Sequence, residues 1–288
     1  MDNEEKMVFA CLDGSSLSEA VCDYAAWFAK RLNSRLKLLH TIDHHHETAL
    51  IADLSGNIGV DSRDHLLEEL TLVEQQQSKQ RIQQGKKLLD AAKHRVLADG
   101  IADPVTCLQH GSLIDSLVDL EADIRVLVVG ARGKIHEDQS GQIGEKLEAM
   151  IRSLHRPILV AYQAFKTPQN IMIAYDGSES ADKALNMIVN SRLCAGLACH
   201  LVQVSKKDQA DHILDQAARR LADAGVLDVI STSLAGKPVA QLCEYQTRHA
   251  IDLTVMGAFS HTRLHDILMG SFTHKMLLKT TTPLLLLR

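Results

Sequence analysis

The chain contains one pattern twice, and that limits it to two copies of a single folding unit. Met7-Val-Phe-Ala-Cys-Leu-Asp13-Gly14-Ser15-Ser16 returns as Ile171-Met-Ile-Ala-Tyr-Asp176-Gly177-Ser178-Glu179-Ser180, which sets Asp13 and Asp176 163 positions apart. Val126-Leu-Val-Val-Gly130-Ala131-Arg132-Gly133 returns as Leu253-Thr-Val-Met-Gly257-Ala258-Phe259-Ser260, 127 positions on. Arg156-Pro157-Ile-Leu-Val-Ala returns as Thr282-Pro283-Leu-Leu-Leu-Leu, 126 positions on. The halves match at both ends and differ in the middle, where the first carries 36 more residues. Each copy has the length of one ordinary domain. The boundary falls between Ala164 and Asn170, giving units at 1–164 and 165–288. Phe165-Lys-Thr-Pro168-Gln has no Gly or Ser run, so the halves are expected to pack together.

Within each copy, short apolar runs alternate with amphipathic stretches. The runs predict strands near 7–13, 35–42, 105–109, 126–130 and 157–162, and again near 171–176, 198–204, 228–234, 253–257 and 283–288. Runs such as Val126-Leu127-Val128-Val129 have no polar alternation, as parallel strands covered on both faces require. Val21, Tyr24, Ala25, Phe28 and Leu32 recur at helical spacing after Ser16, a plausible N-cap by residue type. Five strands with intervening helices predict an α/β fold: two tandem doubly wound, Rossmann-like parallel sheets. The extra residues of the first half read as a loop from His44 to about Asp64. A long polar helix, rich in glutamine, follows to about Ala98. The closing strand Pro283–Arg288 is too apolar to stand as a bare edge. It is expected to pair with Pro157–Ala161 of the same chain, making a pseudo-twofold monomer, or else between chains in a homodimer.

Composition removes several function classes. The net charge is −5 and ten of 288 residues are aromatic, so the chain lacks the basic face and stacking platform of a nucleic-acid binder. No run reaches the ~18 apolar residues of a membrane span. The start, Met1-Asp2-Asn3-Glu4-Glu5-Lys6, reads as neither signal nor transit peptide. The six cysteines are scattered without a CxxC pair, as expected of reduced thiols in a cytoplasmic protein.

In sheets of this kind ligands sit beyond the carboxyl ends of the strands, where strand order reverses. If strand 1 lies beside strand 4, that crevice is bounded by the loops at Asp13 and Gly130 in one half and at Asp176 and Gly257 in the other. After Gly257, the second half reads Gly270-Ser271-Phe272-Thr273 at the start of a helical run. Glycine and serine there expose backbone N–H groups and a hydroxyl at the positive end of the helix dipole, an anion site. Asp176 suits hydrogen bonds from a ribose or a base amino group better than contact with phosphates. Ordinary turn and cap chemistry accounts for the same residues without a ligand.

These motifs, in order and duplicated, resemble the universal stress protein domain: strand-Asp-Gly-Ser-x-x-Ser, then strand-Gly-x2-Gly-x9-Gly-Ser, then proline and an apolar strand. The resemblance covers nearly the whole chain. It implies a five-stranded α/β fold, dimerisation through the last strand and, in one branch, ATP binding without an assigned reaction. It carries over Asp176, Gly257, Gly270 and Ser271 as nucleotide-binding positions. Val204 and Met256 fall in the adenine and ribose pocket, and Phe272 follows Ser271. Ser260 stands where the family has its second glycine. In the first half Asp13, Gly130 and Gly133 match, but Gly144 comes one residue late and Glu145 replaces Ser or Thr, so that site is expected to be degenerate.

Three functions follow as expectations. The first is a stress-response binding protein holding ATP or another adenine nucleotide, with or without Mg2+, mainly in the second half. The second is a scaffold for an unknown protein partner, using the 44–98 insertion and no nucleotide. The third is a slow ATPase, for which Asp176 and His265 are the nominees. Lys237 before Pro238 reads as a helix start. His44-His45-His46 reads as a solvated loop, and His261 as a surface residue.

Overall fold

The structure is a computed structural model describing residues 6–42, 60–132, 145–205, 210–226, 228–258 and 271–288. In the first half β1 (Met7–Cys11), β2 (Leu36–Ile42), β3 (Val105–His110), β4 (Ile124–Gly130) and β5 (Ile158–Ala161) form the strands. The helices are α1 (Ser18–Leu32), α2 (Val60–Ala98), the short α3 (Leu113–Asp119) and α4 (Glu145–Ser153). The second half repeats them as β6 (Asn170–Ala174), α5 (Glu179–Val189), β7 (Ala198–Val204), α6 (Ala210–Asp223), β8 (Val229–Leu234), α7 (Pro238–Arg248), β9 (Leu253–Gly257), α8 (Ser271–Lys279) and β10 (Leu284–Leu287).

All ten strands join one sheet in the order β3-β2-β1-β4-β5-β10-β9-β6-β7-β8. Neighbours within each half are parallel, and strand 1 lies beside strand 4 in both. The halves meet where β10 pairs antiparallel with β5, Leu285 opposite Leu159. The closing strand thus hydrogen-bonds within its own chain. Helices α1, α2, α5 and α6 cover one face of the sheet over Phe28, Leu38, Leu185 and Leu201. On the other face Leu147, Ile151, Leu242 and Met276 belong to α4, α7 and α8. Burial on both faces is why the strands read as unbroken apolar runs.

Two helix starts differ from the sequence reading. Ser16 is not the N-cap of α1; Leu17 occupies that position and makes no side-chain cap. The turn is closed instead by Ser18, whose Oγ accepts the Gly14 N–H at 3.0 Å and donates to Asp13 Oδ1 at 3.3 Å. Helix α2 begins at Val60, four residues before the expected end of the loop. Lys237 is the N-cap of α7, with Pro238 as its first residue, as its sequence suggested.

Lys166 and Asp252 anchor the connection between the halves. The buried Asp252 carboxylate accepts the backbone N–H groups of Gln169 at 2.9 Å and Asn170 at 3.1 Å, and Lys166 Nζ at 2.6 Å. Phe165 meets Tyr24 edge to face at 4.8 Å. The absence of Gly and Ser from this connection matches its fixed path.

Candidate functional site

The turn after β6 is built by its own residues. Gly177 takes φ +74°, a conformation that suits glycine, and Asp176 Oδ1 accepts the Ser178 N–H at 3.0 Å. Ser178 then caps α5, its Oγ accepting the Ala181 N–H at 3.3 Å. This turn points α5 across the end of β9, where Gly257 leaves room for it. A Cβ on Gly257 would fall 2.5 Å from both the carbonyl carbon and the Oγ of Ser180. The close approach expected at Gly257 is therefore made by α5 of the same chain.

A cavity of about 290 Å³ opens here, at the carboxyl ends of β6, β7 and β9. Its apolar walls include Val202, Val204, Met256, Pro238, Leu242 and Phe272, and its polar lining is Asp176, Ser178 and Ser180. Asp176 is exposed at the rim. The size stands at the lower edge of the roughly 300–1,000 Å³ range of small-molecule sites, enough for a planar base with further groups outside. The wall is apolar because Val202, Val204, Met256, Leu242 and Phe272 belong to, or pack against, the apolar cluster between the sheet and helices α7 and α8.

Of the eight second-half residues singled out from sequence, Asp176, Val204, Met256, Gly257 and Phe272 share this lining. Ser271 is the first residue of α8, next to the lining residue Phe272. Ser260 and Gly270 lie outside the described residues, as do His261, His265 and His44–His46. The sequence reading missed Val202, Pro238, Leu242, Ala174 and Ser180. Val202 was within reach, since it lies two residues before Val204 on the same strand face.

A clamp behind the cavity was also missed. Tyr175 donates to Asp182 Oδ1 at 2.8 Å, and Arg220 of α6 donates to the same carboxylate at 3.1 Å and to Asn186 Oδ1 at 2.5 Å. Burial, helped by the Asp182 hydrogen bond, pushes the Tyr175 hydroxyl up to about 12. The first half repeats the clamp with Arg95 of α2, which binds Asp23 bidentately at 2.6 and 2.8 Å and Glu19 at 2.9 Å.

The first-half site diverges at its centre. Asp13 Oδ1 accepts the Ser15 N–H at 2.9 Å and Gly14 takes φ +74°, so the turn is conserved between halves. Leu17, however, stands at the position of Ser180, and a Cβ on Gly130 would meet its Cβ at 3.2 Å. Gly133 and Gly144 lie outside the described residues. Glu145 opens α4, where Ser271 opens α8.

Among the described residues no group of three or more His, Cys, Asp or Glu could hold a metal ion. No described helix is long and apolar enough to cross a membrane. All six cysteines are free thiols.

The sequence profile of the Universal stress protein family matches residues 6–161 and 201–288. Over 287 residues the chain is 34% identical to Universal stress protein Slr1230 of Synechocystis sp. (strain ATCC 27184 / PCC 6803 / Kazusa), covering 98% of this chain and 100% of that protein. A universal stress protein from Archaeoglobus fulgidus DSM 4304 superposes with a TM-score of 0.72 at 16% identity, over 99% of this chain and 98% of its own. A functionally unknown protein from Pseudomonas aeruginosa PAO1, PA1789, gives a TM-score of 0.62 at 15% identity, over 98% and 92%. At such identities the structural likeness speaks to the fold.

Proposed function

The chain belongs to the universal stress protein family, and from that premise we propose that its second half binds an adenine nucleotide, with ATP the preferred form, as a regulatory ligand in the stress response. The observation that carries this reading is the cavity at the ends of β6, β7 and β9, apolar in its walls and acidic at its rim. In this reading the base lies against Val202, Val204 and Met256, with Pro238 and Leu242 on its far side. Asp176 accepts a ribose hydroxyl, and the phosphates extend past Gly257 toward the start of α8. The N-terminus of that nine-residue helix would favour their charge.

Mg2+ would enter on the triphosphate, which supplies most of its oxygen ligands, and among the described residues that line the cavity Asp176 is the one carboxylate. The first half, with Leu17 for Ser180 and Glu145 for Ser271, is read as not binding the nucleotide. The nucleotide would act by favouring one conformation over another, to the extent that it binds the two unequally. The chain would work in the cytoplasm, where free thiols persist. A second reading, a scaffold without nucleotide, draws support from Asp176, whose Oδ1 already closes its own turn.

The test is to purify the chain without added ligand, denature it and identify released nucleotide by mass spectrometry. The controls are Ala174→Leu, which fills the cavity, and Gly270→Val. One adenine nucleotide per chain, lost in both variants, is the expected result. A protein that is empty and gives no thermal shift with added ATP favours the scaffold.

A further inference from the structure

The two halves place their serine hydroxyls differently around the same turn. In the first half Ser18 Oγ accepts the Gly14 N–H at 3.0 Å and donates its proton to Asp13 Oδ1 at 3.3 Å. At the 163-position offset that separates Asp13 from Asp176, Leu17 corresponds to Ser180 and Ser18 to Ala181. The second half therefore has no serine where the first closes its turn. It has a hydroxyl instead where the first has Leu17.

That hydroxyl is one of a pair. Ser180 Oγ lies 3.2 Å from Ser178 Oγ, which also accepts the Ala181 N–H at 3.3 Å. Two hydroxyls hold two protons, and the bond between them uses one. If Ser178 donates, the remaining proton is on Ser180. If Ser180 donates, the remaining proton is on Ser178, whose Oγ then accepts twice. Either way the pair offers one O–H, and no hydrogen bond among the described residues takes it.

Both serines line the cavity. Among its described lining residues only Tyr175, Ser178 and Ser180 carry a side-chain donor. Tyr175 gives its proton to Asp182, and Asp176, a carboxylate, can only accept. The lining thus has a single side-chain proton to offer. It sits at the end of β9, where a Cβ on Gly257 would fall 2.5 Å from Ser180 Oγ.

We propose that the Ser178–Ser180 hydroxyl pair donates to the first phosphate of the bound nucleotide, the one carried on its C5′ oxygen, so that the site separates nucleotides from nucleosides. This rests on the nucleotide reading above. The two ends of the ribose are then recognised by opposite chemistry: Asp176 accepts from a sugar hydroxyl, and the serine pair donates to an anionic oxygen. A hydrogen bond to a charged oxygen is roughly twice as strong as one between neutral groups, so the donor favours phosphate over a sugar oxygen. In the first half Leu17 has no proton to give and Ser18 has given its own to Asp13. That half lacks the donor for a reason separate from Glu145.

The test is equilibrium dialysis of the full chain against adenosine, AMP and ATP, for the wild type and Ser180→Ala. The variant removes the pair and leaves Ser178 in place as the cap of α5. AMP and ATP should each bind about tenfold more weakly, the loss expected for a hydrogen bond to a charged group. Adenosine should change by less than about twofold, and its retention reports that the cavity is intact. Ser180→Cys, close in size but a weak donor, should fall between the two for AMP. An AMP affinity that is unchanged in Ser180→Ala would overturn the inference while the nucleotide reading stands. So would an adenosine affinity that falls as far as that of AMP. A wild type that binds none of the three would overturn the nucleotide reading and this inference with it.

Discussion

Gly257 and Ser180 lie so close that a side chain on the glycine would occupy the space of the serine: its Cβ would stand 2.5 Å from Ser180 Oγ and from the Ser180 carbonyl carbon. The glycine sets how near α5 comes to β9, and so fixes one wall of the cavity. Gly257→Ala must push α5 outward, at a cost of about 1–3 kcal/mol for overpacking. It should also abolish nucleotide retention. The paired position is more forgiving, because Gly130 is opposed chiefly by side-chain atoms of Leu17 at 3.2 and 3.3 Å. Urea melts of Gly257→Ala and Gly130→Ala should show the larger loss in the first.

The Asp252 carboxylate ties the connection to the second half, and its titration has a definite sign. Burial raises its pKa, but the Lys166 hydrogen bond and the N–H groups of Gln169 and Asn170 outweigh that and hold it below the usual carboxylate range. A folded value below the unfolded one, about 3.9, means the stabilisation is complete above that pH and is lost as pH falls through the folded value. Asp252→Asn should flatten the pH dependence of stability below about pH 4. At neutral pH, Asp252→Ala leaves two N–H groups without their acceptor and should cost about 1–3 kcal/mol. The Lys166 side chain is 69% exposed, so Lys166→Met should cost under about 1 kcal/mol.

The sheet was legible because parallel strands buried on both faces leave an unbroken apolar signature, and because the duplication showed each strand twice. The Asp-Gly-Ser turns were legible from glycine and aspartate chemistry. What sequence hid was any contact made at a distance. Arg220 reaches Asp182 across 38 positions, and Pro238 and Leu242 close a cavity begun at Ala174. Leu17 against Ser180 was visible as a difference between copies, but its weight depends on the approach of a helix to Gly130 and Gly257, which spacing does not reveal. The start of α1 was misplaced because Ser16 has the right residue type, while Ser18 holds the turn.

Each half caps the final helix of the other. Tyr162, just after β5, donates to the Leu277 carbonyl in the last turn of α8 at 2.9 Å, and Arg288, just after β10, donates to the Arg152 carbonyl of α4. Helix ends leave such carbonyls without intrahelical donors. Tyr162→Phe should cost about 0.5–1.5 kcal/mol and raise amide exchange in the last turn of α8 more than in α4. Exchange rising equally in both helices would argue for global loosening rather than a lost cap.

His200 gives the second half an acid sensitivity of its own. Its ring lies buried on β7, with Nδ1 3.0 Å from the Tyr245 hydroxyl, which is 3.1 Å from Thr232 Oγ1. The His249 ring stacks on Tyr245 at 4.0 Å and stands 5.5 Å from His200. Burial lowers the His200 pKa, the neighbouring His249 lowers it further, and Asp228 opposes them with a smaller effect. A folded value below the unfolded one, about 6.5, means the unfolded chain binds the proton first. Stability is therefore complete above about pH 6.5 and declines as pH falls toward the folded value. His200→Gln keeps a hydrogen-bonding group without the titration. Melting curves at pH 7.5 and 5.5 should differ less for that variant than for the wild type, and an unchanged difference would assign the acid sensitivity elsewhere.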